Sequence, residues 1–325
     1  MNALILLLAC APSTTMPADY SIDSNEKTLV AKDADGKQLW TWTSPERLRK
    51  VPGGVLDFDG DGTTEVFVAT NEKDAAGKLV ALDHAGSVLW QWETPALSTT
   101  VDGKKVPVLS RVEPDKIAFW TKGPRLIAVA TACDFGASVV VVLDPAKKEL
   151  GRFFHHGAIG QVRFADTDQD GRPEVWVWGS ANAFKTQEQQ DKWSSVYPYF
   201  VAALDPTRLQ GESPTPTSAK APAGCLLYSV FPLSPLTVDL ADGLYNQQGK
   251  CIKNREAGFA ESKDGKSCFF QHPDGRDFAV TPSGLTLVAR GQFFDAAMKK
   301  QANDKKQELE RFLKNGHLTF LEPKK

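Results

Sequence analysis

The chain has 325 residues, enough for one large or two modest domains with a substantial core. Its 38 basic and 40 acidic residues leave a net charge of −2, and 42% of it is hydrophobic. That balance excludes the basic field of a nucleic-acid binder, no nucleic-acid-reading motif is present, and no nucleic-acid partner is expected.

Residues 1–9 read as a signal peptide of the lipoprotein type. Residues 3–9 (ALILLLA) are apolar, with no basic residue ahead of them, and Leu7-Leu8-Ala9-Cys10 resembles a bacterial lipobox. This makes Cys10 the expected lipidation site. It predicts a protein exported and lipid-anchored at the bacterial cell envelope, at the outer membrane or cell surface. The membrane contact is expected through the lipid alone, because no other apolar run is long enough to span a bilayer. Residues 10–24 read as a flexible tether.

The segment LVAKDADGKQLWTW at 29–42 returns as LVALDHAGSVLWQW at 79–92. Each predicts a strand, a tight D-x-x-G turn and a second strand ending in two tryptophans, which is a β-hairpin. The pair Leu82-Asp83 recurs as Leu143-Asp144 and Leu204-Asp205. A period near fifty residues with about four strands is what a propeller blade requires. The units run roughly over 51–95, 106–156 and 157–214, and the hairpin at 27–43 reads as half a blade. A terminal hairpin of that kind often completes the last blade of a closed propeller. Trp40, Trp42, Trp90 and Trp92 fit blade-to-blade packing better than an aromatic sugar-binding surface, because they repeat with the blades. Trp176 and Trp178 belong to the same pattern.

Two stretches carry the chemistry: DFDGDGTTE at 57–65 and DTDQDGRPE at 166–174. Both read D-x-D-x-D-G-x-x-E, and both run into an apolar strand. Three carboxylates at alternate positions need a counter-charge, and a hard cation with oxygen ligands supplies it. The glycine after the third Asp permits the sharp turn around an ion. An EF-hand is excluded, because position twelve is Val68 in one loop and Val177 in the other. The expected ligands are Asp57, Asp59, Asp61 and Glu65, and Asp166, Asp168, Asp170 and Glu174. The carbonyls of Thr63 and Arg172 are the expected main-chain ligands. Unit two has lost the acidic loop; RVEPDKIAFW at 111–120 is read as standing in its place.

His155-His156 precedes the second loop. Neighbours on a strand point to opposite faces, so the two make a poor chelate, and packing between blades is the expected role. Residues 213–223 (SPTPTSAKAPA) read as an exposed loop or linker. Setting Cys10 aside, Cys133, Cys225, Cys251 and Cys268 allow up to two disulfides in an exported chain, with at least one bridge expected within 225–268. None has zinc-ligand spacing. Beyond 225 the repeat decays, although strand-like runs continue. Residues 291–325 read as a C-terminal helix and tail. Phe294, Met298, Leu309, Phe312 and Leu313 form its loose apolar stripe, and Asn315-Gly316 is its stop.

The two acidic loops resemble the FG-GAP/VCBS-type repeats of calcium-binding β-propellers, the class that includes integrin α-subunit heads. The hairpins between them resemble the PQQ-type propeller repeat. The resemblance covers roughly 27–214. It implies an all-β fold: a propeller of about five four-stranded antiparallel blades over residues 25–290, with a C-terminal helix. It also implies two structural Ca2+ ions. Position nine of the family loop is often Asp, where this chain has Glu65 and Glu174.

No nucleophile elbow, phosphate loop or H-E-x-x-H occurs, so no catalytic or organic-cofactor residue is assigned. The expected function is a calcium-stabilised scaffold that binds an envelope protein or glycan. The competing class is an extracytoplasmic enzyme, either a polysaccharide lyase or hydrolase or a quinoprotein-like oxidoreductase. A third reading is an assembly-factor lipoprotein resembling propeller subunits of outer-membrane machinery.

Overall fold

The computed structural model describes residues 15–71, 76–94, 97–101, 104–108, 110–133, 137–182, 198–216, 220–231, 258–271, 276–290, 307 and 318–321. Regular structure in them is almost entirely β, arranged as sheets that follow one another in chain order. The first sheet holds β1 (Asp19–Ile22), β2 (Thr28–Lys32) and β3 (Gln38–Thr43). The second is the meander β4 (Leu48–Leu56), β5 (Glu65–Thr70), β6 (Lys78–Leu82) and β7 (Val88–Glu93). A separate hairpin pairs β8 (Leu97–Val101) with β9 (Lys104–Val108). The third sheet is the meander β10 (Ser110–Trp120), β11 (Leu126–Cys133), β12 (Ser138–Leu143) and β13 (Glu149–His155). The fourth holds β14 (Ile159–Ala165), β15 (Glu174–Ser180), β16 (Tyr199–Leu204) and β18 (Cys225–Phe231). The fifth is β19 (Gly258–Glu261), β20 (Cys268–Gln271), β21 (Arg276–Thr281) and β22 (Gly284–Arg290).

The architecture is that of a β-propeller. Consecutive sheets pack face to face through four apolar clusters. Leu29 and Ala31 of the first sheet meet Val66 and Val68 of the second. Phe67 and Leu79 of the second meet Val129 and Val141 of the third. Val140 and Phe153 meet Val175 and Phe200, and Trp176 and Phe231 meet Phe270 and Phe278. The inner strands therefore bury both faces. This is why EVFVAT of β5 and SVVVVL of β12 are buried at every position instead of alternating. The outer strands β3 and β7 keep polar residues between their tryptophans.

Several readings of the sequence are refined. Residues 19–22, assigned above to the tether, form β1. The stretch RVEPDKIAFW does not replace an acidic loop, because it is itself strand β10. It carries the same bulge as β4: Val112 to Ile117 and Lys50 to Val55 each span an irregularity opposite two steps of the partner strand. The place of the lost loop is residues 121–125, between β10 and β11. Residues 213–223 do not form a simple exposed linker. β17 (Gln210–Glu212) leaves the fourth sheet to pair in parallel with β13, and Ser213, Pro214 and Ala221 are buried on the way back to β18. The N-terminal hairpin completes a three-stranded sheet of its own, and β23 (Leu318–Leu321) adds a fifth strand to the fourth sheet through β18. Of the expected C-terminal helix, Gln307 alone is described, and it is helical. Residues 1–9, Cys10 and Cys251 lie outside the described residues, and nothing is described of the Cys133 side chain. Cys225 and Cys268 are buried in different clusters.

Polar side-chain contacts also lock sheets together. The Tyr20 hydroxyl, from β1, donates to the Phe67 carbonyl at 2.7 Å and accepts from the Val51 amide at 2.7 Å, both in the second sheet. His155 is buried between the third and fourth sheets. Its Nε2–H donates to the Ser180 carbonyl at 2.8 Å, its Nδ1 faces the Tyr228 hydroxyl at 3.5 Å, and its ring lies against Phe200. Burial pushes its pKa down to about 3. Trp40 donates its indole N–H to the His84 carbonyl at 2.8 Å and covers Gly86, so this tryptophan packs one blade on the next.

Tyr20→Phe is expected to destabilise the fold by about 1–3 kcal/mol, since it strands a buried amide and carbonyl; the urea midpoint checks this. The neutral form of His155 is favoured only in the folded state. Its contribution is present above the ordinary histidine range and is lost as pH falls from about 6.5 toward 3. Thermal melts at pH 7.5 and 4.5 should therefore differ less in His155→Gln than in the wild type.

Candidate metal centre

The two acidic loops occupy equivalent places, between the first and second strands of the second and fourth sheets. Each is built by similar internal hydrogen bonds, the first aspartate accepting the position-four amide in the first loop and the position-five amide in the second, with the other three bonds shared. In the first loop, Asp57 Oδ1 accepts the Gly60 amide at 2.6 Å and Oδ2 the Gly62 amide at 3.3 Å. Asp59 accepts the Asp61 amide at 3.1 Å, and Asp61 accepts the Thr63 amide at 2.7 Å. In the second loop, Asp166 accepts the amides of Asp170 and Gly171 at 3.1 and 3.0 Å. Asp168 accepts the Asp170 amide at 3.3 Å, and Asp170 accepts the Arg172 amide at 2.7 Å. Positions four and six are left-handed in both: φ is 84° at Gly60 and 89° at Gly62, 61° at Gln169 and 85° at Gly171. The sequence repeat is thus a conformational repeat.

Position nine closes each loop. Glu65 and Glu174 are buried, each 4% exposed, at the first residue of β5 and β15. Glu65 Oε2 accepts the Phe58 amide at 2.6 Å. Glu174 Oε2 accepts the Thr167 amide at 2.9 Å and its hydroxyl at 2.6 Å. Burial raises the pKa of both carboxyls, with the loop aspartates adding to the effect, and Glu174 is pushed up to about 7. Asp61 moves the other way, held low by the Thr63 hydroxyl.

The donor set fits a hard divalent ion. Asp57, Asp59 and Asp61 each bring an oxygen within 4.8 Å of the others, and Asp166, Asp168 and Glu174 do the same. Oxygens about 2.4 Å from a shared calcium ion lie at most about 4.8 Å apart. All the donors are oxygens, and a cation would offset the cost of holding Glu174 beside two aspartates. Glu65 and Asp170 stand outside these two trios, so the loops present different faces to an ion. The amides of Thr63 and Arg172, whose carbonyls are the expected main-chain ligands, donate to the third aspartate of each loop.

Sequence reasoning missed one neighbour. Arg125, at the end of the short connection that replaces the lost acidic loop, reaches back to the first loop. Its Nη1–H donates to the carbonyls of Asp57 and Phe58 at 2.6 and 2.8 Å and lies 3.8 Å from Asp57 Oδ1. The available signal was a basic residue in the one unit without the carboxylate triplet.

No protein-family model and no curated protein matches the chain. Among solved structures it is similar to BamB from Moraxella catarrhalis, at 13% identity and TM-score 0.29, over 81% of this chain and 66% of that one. It is similar to BBS1N, solved in complex with ARL6DN, at 11% identity and TM-score 0.35, over 84% and 64% of the two chains. The Dos1 propeller gives 11% identity and TM-score 0.33, over 84% and 65%. The chain spans about two thirds of the length of these structures or slightly less. The propeller assignment rests on its own sheets and the clusters between them.

Calcium is expected to raise the melting temperature above that measured in EDTA, since an ion at a hundred times its Kd stabilises by about 2.7 kcal/mol per site. Asp59→Asn and Asp168→Asn should each remove part of that rise. Equal melts in both buffers for the wild type would exclude a structural ion.

Proposed function

We propose that the protein is an exported, lipid-anchored propeller, held in shape by two calcium ions, that binds a protein or glycan partner at a bacterial cell envelope. The observation that carries the reading is the pair of acidic loops, alike in hydrogen bonding and backbone and equivalent in place. Asp57, Asp59, Asp61, Thr63 and Glu65 would hold one ion. Asp166, Asp168, Asp170, Arg172 and Glu174 would hold the other. An ion supplies the positive charge that lets each carboxylate-lined turn stay compact. The chain's own residues do the rest: the amides of positions four to seven orient the aspartates, and the position-nine glutamate anchors the loop to its strand.

Leu7-Leu8-Ala9-Cys10 supports the envelope anchor. Among the described residues, a binding role is favoured over catalysis by where the buried carboxyls and imidazole lie. Glu65 and Glu174 belong to the loops, and His155 is sealed between sheets with both ring nitrogens facing protein groups. None of the three is offered to a substrate. A propeller surface then serves as a rigid platform, and its ligand is set by surface loops and not by the fold.

The test is expression of the full chain in a diderm bacterium fed labelled palmitate. The wild type should be labelled and recovered with membranes, whereas Cys10→Ala should be unlabelled and soluble outside the cytoplasm. Unlabelled wild-type protein retained in the cytosol would overturn the anchor. Cross-linking mass spectrometry on the same cells and a glycan array then distinguish a protein from a glycan partner. Turnover of a polysaccharide by the purified chain would overturn the non-catalytic reading.

A further inference from the structure

The two loops differ in what the next sheet brings to them. The second loop meets the turn at 262–267 of the fifth sheet through Gln169 Nε2 and the Asp264 carbonyl at 3.3 Å, a contact without net charge. The first meets the third sheet through the Arg125 guanidinium, which is half-buried and shares Nη1 between two loop carbonyls. Position four records this difference. A Cβ on Gly60 would collide with the guanidinium, whereas the second loop accepts Gln169 in the same left-handed conformation. The first loop is therefore fitted around an arginine.

We infer that Arg125 is a positioning residue and built-in counter-ion for the first loop, which makes the two calcium sites unequal. This rests on the calcium reading above. In the absence of metal, the guanidinium offsets the Asp57 charge and fixes the carbonyls of positions one and two, so the first loop keeps its shape. Once calcium binds, the same charge opposes the ion, and the first site is the weaker. Among the described residues no guanidinium is hydrogen-bonded to the second loop's first carbonyls, and that site includes the buried Glu174 in its trio, so it binds more tightly and depends more on the ion for its shape. The third sheet, which lost its own acidic loop, thereby stabilises its neighbour's.

Calcium titration calorimetry on the full chain separates the sites. Asp59→Asn leaves the second loop to be read alone, and Asp168→Asn leaves the first. The second loop should bind more tightly. Adding Arg125→Gln to Asp168→Asn should tighten the first site about tenfold at low salt, the size of the repulsion a divalent ion feels roughly 6 Å from a unit charge in water-like surroundings. High salt should shrink that gain. Arg125→Lys, which keeps the charge but not the planar fork, should leave the affinity near that of the parent. In EDTA, Arg125→Gln should melt below the wild type, and calcium should restore most of the loss. An unchanged or weakened first site, or a melting loss that calcium does not restore, overturns the inference and leaves the calcium reading intact. Calcium binding in Asp59→Asn but not in Asp168→Asn overturns it too, since the first loop then holds no ion. If neither variant nor the wild type binds calcium, both readings fall together.

Discussion

The buried glutamate at the ninth position of each acidic loop is the contact on which the rest is built. Glu65 and Glu174 are the first residues of strands whose both faces are covered by neighbouring sheets. Each accepts the amide of the loop's second residue, so each joins the end of the turn to its beginning at the edge of the core. This arrangement has an electrostatic consequence. It draws a carboxylate out of water and holds it under two or three more, which is tolerable only if the group stays protonated or a cation comes close. In the proposed reading a divalent ion would relieve the second loop, and Arg125 offsets part of the charge in the first. A requirement local to nine residues thus reaches the packing of one sheet on the next.

The same economy recurs at the other turns of that end. Asp33, Asp83, Asp144 and Asp205 each cap the turn that follows their strand by accepting amides two or four residues on. An aspartate side chain therefore shapes each of these four connections. The outer edges are managed differently. β17 covers β13 and β23 covers β18, each arriving from elsewhere in the chain and closing an edge that would otherwise be open to pairing.

What was legible in the sequence was whatever depends on short spacing. The carboxylate triplets, the glycine after them, the Leu-Asp turns and the paired tryptophans all repeat within one unit, and each lies where its spacing put it. Their physics is contained in a few residues. The reading failed where the deciding partner is distant. QGE at 210–212 has no strand pattern and becomes β17 only because the edge of β13 is there to receive it. RVEPDKIAFW looked like a degenerate loop because its bulge interrupts the alternation that marks a strand. Arg125 was not singled out, since nothing near it in sequence indicates a carbonyl pair more than sixty residues away. The role of Glu65 and Glu174 was half legible. Their place in the motif marked them as ligands, but their burial and their grip on the second residue's amide follow from the tertiary fold.

The most direct test of this account is the anomalous difference density of crystals grown in calcium, measured at a wavelength where calcium scatters anomalously. Two peaks are predicted, one coordinated by Asp57, Asp59 and Asp61, the other by Asp166, Asp168 and Glu174, with Arg125 still lying on the first loop. Density that leaves both turns without a peak while their carboxylates point into solvent would contradict it.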